Sequence, residues 1–254
     1  MFKTIIIVAL TLKSVNILYR LTYIPLEMII INIIFKFIIG TVLGSFLSLS
    51  LIRHHRHESI IWPRSHCDNC NHQLSVGELI PIISYTILKG RCSVCHHPIN
   101  PIHLINEIFT GLIVAFNFNL SWNGLINTIF QLILLLLANT DFETLTMPTS
   151  LISTLLLTGL ISIMINQPLT LLFIIVNLIL YLLISWINHV KPLIGNGDID
   201  IIFILIIKNG LTLTSIIILA ASIMGLIKLI YSHNKLIPFI PYLFLTNFIL
   251  TNFF

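Results

Sequence analysis

Apolar stretches that approach the length of a bilayer crossing follow one another along this chain, and that succession limits its fold more than any other feature. Leu125–Asn139, Ser150–Ile165 and Leu169–Trp186 come, with their flanks, close to the ~20 apolar residues that a transmembrane helix needs. A soluble core could hide one such run, but not six or seven in succession. Charged residues make up 9% of the 254, against roughly 25% in a soluble domain, and the mean hydropathy is +1.03. Most side chains therefore have no water to face. An all-α, polytopic membrane protein is predicted.

The first convincing span covers 28–52. Further spans are expected near 102–120, 122–140, 149–165, 168–188, 199–209, 211–231 and 236–254, which makes eight. The chain thus divides into an N-terminal extension (1–27), a first transmembrane helix (28–52), a polar loop (53–101) and a seven-helix bundle (102–254). Within the extension, Thr4–Leu12 is apolar between Lys3 and Lys13, but no small-residue cleavage site follows it. Met28 is an alternative start. Leu79–Leu88 is apolar and too short to cross, so it is expected to lie along the surface or to dip in and return.

Charge orients these spans. Arg53, Arg56, Arg64, Lys89 and Arg91 lie in the 53–101 loop, and Lys191, Lys228 and Lys235 lie in the turns at 189–198 and 228–238; the turns at 118–124 and 165–168 have no charge. The positive-inside rule makes the first set cytoplasmic. The net charge of +4 comes from 13 Lys and Arg spread as flanks of apolar runs and not gathered in a patch, so it orients the chain and does not indicate nucleic acid.

The polar loop holds all four cysteines and seven of the ten histidines. Cys67-Asp68-Asn69-Cys70 and Cys92-Ser93-Val94-Cys95 are paired CxxC knuckles separated by 21 residues. Two such pairs complete a tetrahedral thiolate shell, so structural zinc is expected at Cys67, Cys70, Cys92 and Cys95. A reducing cytoplasm argues against the alternative of two disulfides. A closed four-thiolate shell organises a loop and does not activate water. His66, His72, His96 and His97 crowd the knuckles as second contacts, as substitutes for a thiolate, or as ordinary polar residues.

Acids near hydrocarbon are costly and therefore point to function. After residue 101 there are five: Glu107, Asp141, Glu143, Asp198 and Asp200. Asp141 sits where a span meets the cytoplasm. Asp198 ends the turn Gly195-Asn196-Gly197-Asp198, whose Gly195 and Gly197 allow unusual backbone geometry and close approach of another segment. These aspartates are 57 positions apart, yet the topology puts both at one membrane depth. Two carboxylates in a low-dielectric site share a proton, which suits peptide hydrolysis: one takes a proton from water while the other polarises the scissile carbonyl. The structural alternative is that both face headgroup water with no further role.

Together these residues resemble the type IV prepilin peptidases, membrane aspartic proteases of the GxGD class. The resemblance covers roughly 36–250 and rests on Gly44-Ser45-Phe46-Leu47 followed by Arg53, the paired CxxC loop, Asp141 with Pro148, the GxGD turn, and Pro238-Phe239-Ile240-Pro241. It implies removal of a short basic leader, after a glycine, from prepilin or pseudopilin precursors at the bacterial cell membrane, with Asp141 and Asp198 as the catalytic dyad facing the cytoplasm. Many members of the family also N-methylate the new terminus with S-adenosylmethionine, an activity associated with the loop region. Glu107 matches an acidic position of the family, as a contact for substrate or for the loop; pairing with Lys36 or another cation is its structural alternative. The chain departs from the family at Ser48 (usually Asn), Thr149 (usually Asp) and Asp200 (commonly Lys). The first departure bears on methylation more than on cleavage. A transporter and a non-catalytic, zinc-organised assembly protein are the competing readings. Intramembrane acids also mark ion paths, whereas the assembly protein would need neither aspartate.

Overall fold

A computed structural model describes residues 26–166, 171–191, 195–231 and 237–253. Most of the N-terminal extension lies outside these residues. The described chain is helical, apart from two isolated β-bridges in the polar loop. Its helices are α1 (Leu26–His55), α2 (Ile83–Ile87, preceded by a 3-10 turn at Val76–Leu79), α3 (Ile102–Asn117), α4 (Trp122–Thr144), α5 (Thr149–Asn166), α6 (Leu171–Val190), α7 (Asn196–Tyr231) and α8 (Ile240–Phe253).

Local chemistry sets several of these boundaries. Ser121 caps α4, its hydroxyl accepting from the Gly124 amide. Leu145 closes the same helix in the left-handed region at φ 54° and donates its amide to the Asp141 carbonyl. Pro148, which has no amide to lose, immediately precedes α5, and the amides of Leu151 and Ile152 donate to its carbonyl. The short segment expected along the surface, Leu79–Leu88, contributes the end of the 3-10 turn and α2.

Glu27–Arg53 and Trp122–Thr144 are unbroken helices long and apolar enough to cross a membrane. Asn196–Tyr231 also qualifies by length and composition, but Gly210 interrupts it at φ 80°, ψ 166°. The Thr214 hydroxyl donates to the Leu205 carbonyl at 3.0 Å. In a continuous helix nine residues span ~13.5 Å, so the chain turns back at Gly210, as two arms. Four shorter helical stretches, Ile102–Asn117, Thr149–Ile165, Ile175–Val190 and Ile240–Phe253, are also apolar. The outer face of α1 leaves Met28, Ile31 and Phe35 more than 60% exposed, a surface that belongs in lipid.

Small residues bring α1 and α3 together. A methyl added at Gly40 would lie 2.7 Å from both Gly111 Cα and the Thr110 carbonyl, and one at Gly44 would lie 2.8 Å from the Thr110 hydroxyl. Such contact between backbones is how membrane helices gain packing energy without a hydrophobic drive. Ser48 is buried in this seam and accepts from the Asn106 side-chain amide at 2.9 Å. The main core lies elsewhere, among Phe130, Leu134 and Leu137 of α4, Leu155 of α5, Ile201, Leu205 and Ile217 of α7, and Leu243 and Phe244 of α8. α3 touches it through Ile113.

Candidate active site and metal centre

α4, α5, α7 and the segment leading into α8 converge on one cavity of about 490 Å³, and both aspartates line it. Asp141 arrives from the last turn of α4 and is buried. Its Oδ2 accepts the Ile240 amide at 3.0 Å. Ile240 opens α8, so this amide has no partner within its own helix, and the neighbouring Phe239 amide also acts on the Asp141 carboxylate. Asp198 enters from the first turn of α7, where its amide donates to the Gly195 carbonyl at 3.1 Å.

Both glycines of that turn have close side-chain neighbours, Gly197 the closer. A methyl at Gly195 would approach Asp198 Oδ2 to 3.0 Å. A methyl at Gly197 would lie 2.3 Å from the Met147 sulfur, in the segment between α4 and α5. Asp200 lines the same cavity and accepts the Tyr181 hydroxyl of α6 at 2.8 Å. A third acid thus borders the pocket with one oxygen already engaged. Leu145, Met147, Ile152 and Phe239 give the cavity an apolar wall.

The four cysteine sulfurs lie within 4.8 Å of one another, with 3.7 Å between Cys67 and Cys95 and 3.9 Å between Cys70 and Cys92. Thiolates ~2.3 Å from a tetrahedral zinc stand ~3.8 Å apart. The donor set fits that metal. The two knuckles are copies of one structure, offset by 25 positions: the Cys67 amide donates to His72 O and the Cys92 amide to His97 O, each at 2.9 Å. Asn71 and His96 take the same left-handed turn, at φ 56° and 55°, and the bridges His66–Gln73 and Arg91–Pro98 repeat as well. The His97 backbone amide, followed by the Asn69 side-chain amide, pulls the Cys95 thiol down to about 6, and the amides of Cys95 and Val94 lower Cys92. Backbone donors favour thiolate at these positions. No histidine joins the sulfur cluster among the described residues; His72 lies 3.4 Å from Glu78, and the His66 ring meets the Arg64 carbonyl.

Glu107 is buried at 8% exposure, and its Oε2 accepts the Ile82 amide at 2.7 Å. It ties the loop to α3. Ile82 has φ 62°, a conformation a β-branched residue adopts only when its surroundings hold it there. Two residues unassigned from sequence share the task of holding the loop. Arg53, only 3% exposed, donates to the carbonyls of Ser59, Ile60 and Pro63 at 3.2, 2.9 and 2.6 Å. Glu78 accepts from the Ser75 amide at 2.7 Å and from the Ser93 hydroxyl, and these donors hold its carboxyl at about 2. Glu78 was readable as a capping-box acid three residues after Ser75; the carbonyl partners of Arg53 left no sequence signal.

Comparison with known proteins finds two family models on this chain. Residues 38–120 match the model of the bacterial peptidase A24 N-terminal domain, and residues 128–230 match that of the type IV leader peptidase family. The chain is 34% identical over 119 residues to the prepilin leader peptidase/N-methyltransferase of Bacillus subtilis, which is 46% of this chain and 48% of that protein. It is 39% identical over 80 residues to the protein of that name from Myxococcus xanthus, 32% of this chain and 24% of the relative. With the Aeromonas hydrophila protein it shares 28% identity over 208 residues, 75% of this chain and 72% of the relative. The first two similarities thus span about half or less of those relatives' length. No solved structure matches.

Proposed function

Because this chain belongs to the type IV leader peptidase family, we propose that it is a membrane aspartic endopeptidase that removes the leader from prepilin or pseudopilin precursors. It is a bacterial membrane protein. The observation that carries the reading is the meeting of Asp141 and Asp198 at one cavity, although α5, α6 and a glycine turn separate them in sequence. In the proposed reaction the ionised carboxylate accepts a proton from water as the water oxygen bonds to the scissile carbonyl carbon. The protonated carboxylate donates to the carbonyl oxygen. Collapse of the tetrahedral intermediate returns that proton to the dyad and expels the amine, which takes up the other. Asp141 Oδ2 is engaged by the Ile240 amide, and the same residue lines the cavity that substrate and water would enter.

The topology that accompanies this reading has eight crossings, counting the arms of α7 separately, with the loop and the dyad on the cytoplasmic side. Charge asymmetry supports it. The precursor's apolar helix then packs between spans while its basic leader reaches the polar face, where Glu143 is exposed two residues beyond Asp141. Zinc held by Cys67, Cys70, Cys92 and Cys95 fixes the loop by cross-linking its two knuckles and takes no part in hydrolysis.

Methylation is a second reading. It is favoured by the names of the relatives and by a cavity of about 410 Å³ between the loop, α1 and α3. That volume suits a small-molecule cofactor. Tyr85, Asp68 and Glu107 line it together with Arg53, Arg56 and His103, a mixed-charge set around an aromatic ring that would receive a cofactor carrying both signs of charge, such as S-adenosylmethionine, whose sulfonium methyl is the group transferred.

The test is cleavage of a pilin-like precursor by reconstituted wild type, Asp141→Asn and Asp198→Asn, with the product weighed by mass spectrometry. Each variant is expected to remain folded and to lose cleavage. Retained cleavage in either folded variant refutes the dyad, and the product mass reports methylation directly.

A further inference from the structure

The zinc-bearing loop carries an apolar surface that the peptidase reading does not use. Ile61 and Trp62 are 80% and 70% exposed, Val76 and Ile87 are 81% and 72% exposed, and Leu79, Ile80 and Ile83 are exposed between them. These side chains form two patches, at 60–62 and 76–87. A buried ionic anchor holds each one in place. Arg53, in the last turn of α1, grips the carbonyls of Ser59, Ile60 and Pro63. Glu107, in the second turn of α3, grips the Ile82 amide.

α1 is long and apolar enough to cross a membrane, and α3 runs antiparallel to it through the Gly40–Gly111 and Ser48–Asn106 contacts. Both anchors therefore lie at the same end of one helical hairpin, where hydrocarbon gives way to headgroups. The patches are held at that depth.

Charge identifies what meets them. Arg64 follows Trp62 and Pro63, while Lys89 and Arg91 follow Ile87, and all three cations are exposed. The loop's other acids are engaged within it: Asp68 pairs with Arg56 at 3.0 Å, Glu58 lines the inner cavity together with Arg56, and Glu78 is bound by Ser75, Ser93 and His72. Arg64, Lys89 and Arg91 have no ion-pair partner among the described residues. Exposed Trp and Ile beside unpartnered Arg and Lys form the composition of an interfacial anchor on anionic lipid. A basic peptide would be repelled from the same surface.

We propose that this face of the loop docks on the anionic headgroup layer of the adjacent leaflet, with Ile61, Trp62 and Ile87 entering the boundary and Arg64, Lys89 and Arg91 meeting lipid phosphates. The proposal is independent of whether the chain cleaves anything.

Trp62 reports on it directly. In a Trp122→Phe, Trp186→Phe background the full chain is reconstituted into phosphatidylcholine vesicles with or without phosphatidylglycerol, and Trp62 emission is read. With phosphatidylglycerol present, emission is expected to shift blue, to be quenched by lipids brominated near the headgroup end of the acyl chain, and to resist acrylamide. Neutralising Arg64, Lys89 or Arg91 to Gln is expected to lower the ratio of docked to undocked loop roughly fivefold per residue, and added salt to act in the same direction. Moving the probe, with Trp62→Phe and Ile87→Trp in that background, is expected to give the same signature and guards against local disruption by one substitution. Red-shifted, acrylamide-accessible emission that ignores both bromine and phosphatidylglycerol overturns the proposal. So does protection that appears only when a precursor helix is added.

Discussion

Gly197→Ala separates two explanations for the glycine turn before Asp198. One is backbone freedom, and the other is room. A methyl there would stand 2.3 Å from Met147 Sδ and 3.2 Å from both Met147 Cγ and Cε, well inside contact distance. Overpacking of this kind costs about 1–3 kcal/mol, or roughly a 5- to 150-fold loss of the productive arrangement. Met147 lines the cavity with the dyad, so a displaced thioether also competes with substrate for space. In a cleavage assay, kcat/KM for Gly197→Ala is expected to fall within that range. Met147→Ala alone removes a partly buried wall and is expected to be mild. The informative variant is the double one: Gly197→Ala with Met147→Ala should recover most of the loss, because the new methyl then occupies the space the sulfur held. A double variant as impaired as Gly197→Ala would refute the close-contact argument.

Arg53→Lys keeps the charge but loses the planar fork that spans three carbonyls. It is expected to weaken the 59–63 segment by about 1.5–3 kcal/mol, seen as faster amide exchange there while α4 is unchanged. Glu78 titrates at about 2 in place of its ordinary 4.5, so its carboxylate contributes stability above about 4.5 that disappears as pH falls toward 2. Amide protection of residues 75–79 should therefore be higher in wild type than in Glu78→Gln near neutrality and converge with it in acid; a constant difference would contradict the assignment. Cys95→Ser is expected to lower zinc content below one ion per chain, read by atomic absorption, and to open the 53–101 loop to protease while leaving the core helices protected.

Much of the site was readable because membrane proteins can hide so few acids. Asp141 and Asp198 stood out among five carboxylates, and the cysteine spacing picked out the four sulfurs that the fold clusters. The break at 209–211 was visible in Asn209-Gly210, and Gly210 makes the turn. What stayed hidden depends on backbone partners, which have no sequence signature. Glu107 was read as a contact for substrate or loop, or as half of an ion pair with Lys36; its observed partner is the amide of Ile82, 25 residues away. The repeat of the knuckles at an offset of 25 was spelled out in Cys-x-x-Cys-x-His on both sides, but only the ligand positions attract notice until the turns are seen to repeat. Lys208 resting 4.0 Å over the Phe130 ring joins two residues that hydropathy treats as opposites; a cation over an aromatic face is a tertiary event.

The Ile240 amide that holds Asp141 belongs to α8, which follows every other element of the cavity in the chain. During synthesis the carboxylate of α4 and the GxGD turn exist before the donor that steadies one of them. A nascent chain halted ahead of α8 would have both acids without the amide that holds Asp141, so this pocket is complete only with the closing helix in place. If the two aspartates act as the proposed dyad, that order postpones activity until the last helix has been inserted.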